Sequence, residues 1–172
     1  MSGDELIDVV DENDHVVRQA TRREVRQGHL RHRSVYIFVF NPNGQLFVHR
    51  RTETKDIFPG YWDVAVGGVL GAGETYDHGA QREFAEELGI TGVVLRRLFP
   101  LRYDDETNRV CGMVYSCTVD CPVRLQAAEI AEGEWLDLAT VLERTQRRPF
   151  CPDGLEALRL YLAKLEAARV RR

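Results

Sequence analysis

Residues 68 to 90 read Gly68-Val69-Leu70-Gly71-Ala72-Gly73-Glu74-Thr75-Tyr76-Asp77-His78-Gly79-Ala80-Gln81-Arg82-Glu83-Phe84-Ala85-Glu86-Glu87-Leu88-Gly89-Ile90. This is a glycine-rich loop running into a helix, expected from Thr75 to Leu88 with Gly89 as its stop. At about 100° per residue, Glu83, Glu86 and Glu87 fall within an arc of roughly 100° on one face. Phe84, Ala85 and Leu88 take an adjoining face and can reach a core. Each like-charge pair at this spacing costs an isolated helix a few tenths of a kcal/mol. A hard divalent cation with oxygen ligands offsets that repulsion directly.

An acidic helix face is most often a solvated one, so the neighbours of this patch decide the reading. Arg82 stands four residues before Glu86 and can orient it by a charge-assisted bond. Gly67, Gly68, Gly71 and Gly73 let a loop turn tightly and bring backbone groups close to a ligand. Glu74 can cap the helix or support the arginine. Together these parts describe a site for a metal and a phosphate.

The spacing of Gly68, Glu74 and Arg82-Glu83-Phe84-Ala85-Glu86-Glu87-Leu88-Gly89-Ile90 resembles the signature box of the Nudix hydrolases. Phe84 stands where that family prefers an aliphatic residue and keeps the apolar role. The resemblance implies an α/β fold, the Nudix-type α/β/α sandwich around a mixed β-sheet. It also implies hydrolysis of a phosphoanhydride in a nucleoside di- or triphosphate or a related nucleoside-diphosphate derivative, with Mg2+ or Mn2+. Carried onto this chain, it makes Glu83, Glu86 and Glu87 metal ligands, with the Gly68 carbonyl as a further one. Arg82 and Glu74 would hold those ligands in place. The base that assists the attacking water varies in the family; here the candidates are Glu83 or an acid outside the box, Glu129 or Glu132.

The flanking residues carry a second resemblance. Leu6 to Val17, Leu30-Arg31-His32-Arg33-Ser34-Val35, His49-Arg50-Arg51 and Phe58-Pro59-Gly60-Tyr61-Trp62-Asp63 look like isopentenyl-diphosphate isomerase, which shares the Nudix fold. The isomerases carry a catalytic cysteine followed by Gly-His where this chain has Gly67-Gly68-Val69, and of their metal-binding histidines only His32 is matched. The better match is to bacterial Nudix hydrolases that keep this arm, residues 1–33, packed on a single domain of residues 1–172.

The substrate is narrowed only by elimination. The Ser-Gln-Pro-Trp-Pro array of the NADH-cleaving group does not follow Ile90. The proline that marks ADP-ribose enzymes has no counterpart, since Pro100 is too close and Pro122 too far. The coenzyme A signature is missing. Arg50 and Arg51, at a strand end, are expected to clamp phosphates. Phe58, Tyr61 or Trp62 could stack a base, against core packing as the preferred reading. Arg18, Arg22, Arg23, Arg26, Arg31 and Arg33 make the arm locally basic, so removal of pyrophosphate from an RNA 5′ end is one alternative. Isomerase-like activity and a non-catalytic Nudix sensor are the others.

Composition agrees with a folded enzyme. The chain has 172 residues, 44% of them hydrophobic and 29% charged, which suits one domain and excludes disorder or a disulfide scaffold. Its net charge of −4 does not suggest a nucleic-acid binder. No apolar run approaches the roughly 18 residues of a membrane span, and Met1-Ser2-Gly3-Asp4-Glu5 is no signal-peptide start. A soluble cytoplasmic protein with a small nucleotide or diphosphate substrate is expected, and a homodimer is compatible with it. Cys111, Cys117, Cys121 and Cys151 lack metal-site spacing and are expected to be buried thiols.

Further strands are expected at Leu6–Val10, Val35–Phe40, Leu46–His49, Val64–Val66, Val93–Tyr103, Val110–Val119 and Glu134–Leu136. Asn43-Gly44 predicts a tight hairpin. Helical segments are expected over Thr21–Gln27, Leu138–Arg144 and Gly154–Arg169. The last carries Leu155, Leu158, Leu162 and Leu165 on one stripe, and Arg169, Arg171 and Arg172 suit its negative end.

Overall fold

The computed structural model describes residues 3–170. Eight strands form one mixed sheet: β1 (Leu6–Val10), β2 (Val16–Thr21), β3 (His32–Phe40), β4 (Leu46–Arg51), β5 (Trp62–Asp63), β6 (Arg96–Asp104), β7 (Arg109–Thr118) and β8 (Ile130–Leu136). The helices are α1 (Arg22–Gln27), α2 (Tyr76–Leu88), α3 (Leu138–Thr145) and α4 (Pro152–Val170). Arg171 and Arg172, expected at the end of α4, lie outside the described residues.

The central pairing is parallel, β3 on β7 from His32↔Val110 to Phe40↔Thr118, and the other ladders are antiparallel. Alternation along β3 supplies both sides of the sheet. Val35, Ile37 and Val39 join Phe47, Phe84 and Leu88 under α2. Tyr36 and Phe38 join Leu46, Val48 and Leu158 on the side of α3 and α4. The Leu155–Leu162 stripe packs there, whereas Leu165 is exposed.

Two expectations about the chain between β3 and α2 need correction. The Asn41–Gln45 turn closes as expected, with Gly44 N–H on the Asn41 carbonyl at 2.9 Å and Gly44 at φ 79°. Its strands then part after the single pair Phe40↔Leu46, because the 62–69 segment is inserted between them. The Val64–Val66 strand is likewise absent as a ladder. Trp62 and Asp63 pair with β4, and then only Val66 and Val69 bridge to β3. Gly67, at φ 146°, lies so close to the Val35 carbonyl that no side chain fits.

The arm is woven into the site loop. β1 pairs with β2 along its length and touches β3 at Val9↔His32. Ile7, Val9, Ala20 and Val25 enclose Val69 of the box in a small third core. The Leu6 carbonyl accepts Ala72 N–H at 2.9 Å, and the Asp8 carboxylate accepts Gly73 N–H at 2.8 Å. Among the described residues no helix is long and apolar enough to cross a membrane.

Candidate active site

α2 begins at Thr75, whose hydroxyl accepts His78 N–H, and ends at Gly89 in the left-handed conformation, as its sequence dictates. It lies on β3 through Phe84 and Leu88, both fully buried. The same docking buries Glu83 and Glu87, 3% and 5% exposed, while Glu86 stays at the edge with its side chain 48% exposed. The spacing alone makes Glu87 a surface residue; the sheet beneath α2 corrects that.

Arg82 ties the helix to the loop before it. Its Nε and Nη2 donate to the two Glu74 oxygens, each at 2.8 Å, in a bidentate fork. Its Nη1 reaches Glu83 at 2.7 Å and Glu86 at 3.3 Å. Glu74 also accepts Gly71 N–H at 3.0 Å, so it both supports the arginine and closes the loop. Gly68 packs against the Glu83 carboxyl, which a Cβ would meet at 2.8 Å. The Gly68 carbonyl accepts Val35 N–H at 3.0 Å, which leaves one of its two lone pairs.

Burial makes these acids reluctant to ionise. Desolvation pushes Glu83 up against the pull of Arg82. Desolvation and then the neighbouring Glu83 push Glu87 up to about 8, and one Glu87 oxygen, Oε2, is buried with no partner.

A cavity of about 60 Å³ opens beside Gly67, Gly68 and Glu83. Four basic side chains, Arg22, Arg26, Arg51 and Lys55, line it. Three of them, Arg22, Arg26 and Lys55, also line an outer pocket of about 420 Å³ between α1 and the 54–56 loop. Asp56 joins the arm to this wall, accepting from Arg22 at 3.0 Å and Arg26 at 3.2 Å. Burial raises its proton affinity, but the two arginines outweigh that and hold its carboxyl well below the usual range. Lys55 pairs with Glu129, and desolvation followed by Arg51 lowers its proton affinity. Local spacing carries no sign that the arm arginines and Lys55 meet at the box, because they are brought there by α1 and by the loop after β4.

Other expected residues are separated. Arg50 and Arg51 part at the end of β4, where its pairing with β8 shifts register between them. Arg51 lines the cavity and donates to the Ile57 carbonyl at 3.1 Å. Arg50 instead binds Glu132 at 2.6 Å, directly across from it on β8. That correction removes both Arg50 and Glu132 from the cavity, since Glu132 shares its strand face with Glu134, which binds Arg144 of α3. Glu129 pairs with Lys55 and lines the outer pocket, not the cavity beside Glu83. Trp62 is buried against Phe150, and the Phe58 ring lies tilted against Tyr61, so the aromatics pack rather than line either cavity. Cys111, Cys117 and Cys151 are buried, but Cys121 is exposed, against expectation. A larger recess of about 640 Å³ lies between α3 and α4, on the other side of the sheet from α2.

The match to the NUDIX domain model spans residues 30–157, enclosing the box and all of the cavity wall except Arg22 and Arg26 of the arm. The chain belongs to the Nudix hydrolase family. A Nudix hydrolase of Pseudomonas aeruginosa, PA4841, is 46% identical over 158 residues, 92% of this chain and 94% of that one. YfcD of Escherichia coli is 39% identical over 164 residues, 95% of this chain and 90% of that one. The crystal structure of DR0079 from Deinococcus radiodurans superposes at TM-score 0.80 and 33% identity, covering 90% of this chain and 98% of that one. The NUDIX domain of Shewanella oneidensis NrtR, solved with ADP ribose, superposes at TM-score 0.62 and 19% identity over 77% of this chain and 87% of that one, a likeness of fold.

Nudix hydrolases act on nucleoside diphosphate derivatives and generally use Mg2+ or Mn2+. Among the described residues no three His, Cys, Asp or Glu side chains are already gathered around one point. The donor chemistry of this Nudix box nevertheless fits such a cation: hard carboxylate oxygens, two of the three acids buried, and a partnerless oxygen on Glu87.

Proposed function

We propose that this Nudix hydrolase cleaves the phosphoanhydride of a nucleoside-diphosphate derivative in the cavity beside Gly68 and Glu83. The observation that carries the reading is that Glu83 of the box and the four basic side chains Arg22, Arg26, Arg51 and Lys55 line one cavity. Glu83, Glu86 and Glu87 would hold Mg2+ or Mn2+, with the Gly68 carbonyl as a further donor. When bound, the cation neutralises the diphosphate and makes a water nucleophilic at neutral pH.

The chain's own residues do the rest. Arg51 and Lys55 bind phosphate oxygens, and Arg22 and Arg26 extend that wall outward through the arm. Arg82 fixes the direction of Glu83 through the Glu74 fork. Glu83, whose burial raises its proton affinity, takes the proton from the attacking water. The arm, which we read as isomerase-like in sequence, is part of this wall. It does not bring isomerase chemistry with it, since Gly67 offers no side chain where the isomerases have cysteine.

Removal of a 5′ pyrophosphate from RNA is a weaker reading here. Two of the arm arginines are folded inward rather than displayed: Arg31, 5% exposed and paired with Asp104 at 2.6 Å, and Arg33, paired with Asp14 at 2.7 Å.

The test is release of phosphate or pyrophosphate from nucleoside di- and triphosphates, nucleotide sugars, ADP-ribose and other diphosphate esters, with Mg2+, Mn2+ or chelator. Chelator-sensitive cleavage of a nucleoside-diphosphate derivative is expected. A folded, metal-supplied protein that cleaves none of them would sink the proposal.

A further inference from the structure

Two cavities share one basic wall. The inner one, beside Glu83, is about 60 Å³ and has room for only a few water-sized groups. The outer one is about 420 Å³, within the usual range for a ligand site. Arg22, Arg26 and Lys55 line both. A nucleoside is too large for the inner cavity, so a diphosphate bound along that wall places its nucleoside in the outer pocket.

The outer pocket is not built to read a base by its ring face. Sites of that kind are lined mainly by apolar and aromatic side chains. Among the described residues that line this pocket none is aromatic, and Ala128 is the only apolar side chain. Charge dominates instead. Arg22, Arg23, Arg26 and Lys55 are set against only Asp56 and Glu129, a local basic excess in a chain whose net charge is −4.

Pairing within the wall does not cancel that excess. Asp56 is shared by two guanidinium groups, accepting from Arg22 Nε at 3.0 Å and from Arg26 Nε at 3.2 Å. Arg26 donates through Nη1 to Asn108 at 3.2 Å, and its Nη2 keeps no hydrogen-bond partner among the described residues. Arg23 lies against Gly3, which also lines the pocket. Its carboxylate partner, Asp4 at 3.1 Å, is not a lining residue, and both side chains are exposed, which makes the pair weak. The surviving positive field is felt at His32, which burial and then Arg26 push down to about 4, with Asp56 opposing less than Arg26 acts.

Resting on the hydrolase reading above, we propose that the outer pocket recognises a phosphate on the ribose, so that the substrate is a nucleoside 5′-diphosphate derivative carrying a further phosphomonoester at its 2′ or 3′ oxygen. The ribose joins the diphosphate directly, so a phosphate on it enters the pocket beside the arginines common to both cavities. A guanidinium fork gives such a group two parallel N–H bonds and a full charge, whereas a neutral base finds neither an apolar nor an aromatic surface here. Hydrolysis adds water to one phosphorus and breaks the bridging P–O bond. It leaves a nucleoside bisphosphate and the phosphate or phosphate ester of the other half, with the water proton released.

Binding tests this apart from turnover. Titration calorimetry of the unaltered protein in chelator, with AMP, adenosine 2′,5′-bisphosphate and adenosine 3′,5′-bisphosphate, holds the base and the 5′-phosphate constant. At least one bisphosphate is expected to bind tenfold or more tightly than AMP, and high salt should shrink that margin. Arg23→Gln, at an exposed side chain, should cut it to under threefold. ADP and its 2′- and 3′-phosphorylated forms, with Mg2+, should follow the same order in kcat/KM, carried mainly by KM. AMP bound as tightly as both bisphosphates by the unaltered protein overturns the proposal, and that comparison does not depend on a variant folding. A folded Arg23→Gln that keeps the full margin overturns it as well. Equal binding beside chelator-sensitive cleavage in the broader panel defeats this inference alone. A bisphosphate preference in a protein that cleaves nothing defeats the hydrolase reading and leaves the pocket its ligand.

Discussion

Glu87 shows how much a neighbouring surface can change a side chain. On the helix it is one of three acids; in the fold it is 5% exposed, beneath α2, with one oxygen unpartnered. Replacing it by Gln removes the charge that burial opposes and keeps the shape. Glu87→Gln should melt at or above the temperature of the unaltered protein in chelator, yet lose at least tenfold in kcat, about 1.4 kcal/mol of barrier. Calorimetric melting beside steady-state rates would check both halves. Asp63 gives a pH signature. Burial and then Asp153 raise it from 3.8 to about 7 in the folded chain. Between those values the native state binds more protons than the unfolded one, so this residue's contribution is full below the window and is lost as pH rises through it. The loss is at most about 1.4 kcal/mol per pH unit. Asp63→Asn should flatten stability against pH from about 4 to 7 in chelator, read by urea unfolding at each pH; an unchanged slope would refute the assignment.

At the scale of elements, the site depends on how α2 is tied to its loop. Arg82 spans Glu74, Glu83 and Glu86 and also reaches the Val69 carbonyl at 3.3 Å. Lysine keeps the charge but cannot form the fork to both Glu74 oxygens. Arg82→Lys should cost about 1–3 kcal/mol of stability and speed hydrogen exchange at Gly71, whose N–H is held by Glu74. Protection at Gly71 equal to the unaltered chain would show that the fork does not order the loop. The elements most visible in sequence were those with strong local signals: α2 with Thr75 and Gly89, and α1 with Thr21 and Gly28. β8 was expected only over Glu134–Leu136 and extends from Ile130. Ala131-Glu132-Gly133 has little strand character of its own, and pairing with β4 is what extends it.

For the whole molecule, cation binding and folding are linked. If the buried acids of the box ligate a cation as proposed, they would do so only in the folded state, so Mg2+ or Mn2+ should raise the melting temperature in proportion to the logarithm of its concentration. Because Glu87 holds a proton up to about 8, that uptake should release protons and strengthen as pH rises from 6 to 8. Scanning calorimetry across metal concentration and pH would test it, and a metal-independent melting temperature would be evidence against ligation by these residues. The arm belongs to this unit as well, since Leu6 and Asp8 hold the site loop by hydrogen bonds and Arg22 and Arg26 supply part of the cavity wall.

What the chain determined by itself was everything set by near neighbours: the helix of the box and its caps, the acid spacing, Arg82 over Glu74, the turn at Gly44 and, through the box, the family and its fold. These follow from helical periodicity and from backbone demands within a few residues. Only the tertiary structure decided which face of α2 is covered, that Arg50 and Arg51 part company, that Glu132 lies on the far side of the sheet, and that Arg22, Arg26, Lys55, Asp63 and Asp153 meet beside Glu83. Each depends on strand pairing or helix docking between residues far apart in the chain. Burial and charge environment are properties of those distant contacts, and local spacing does not encode them.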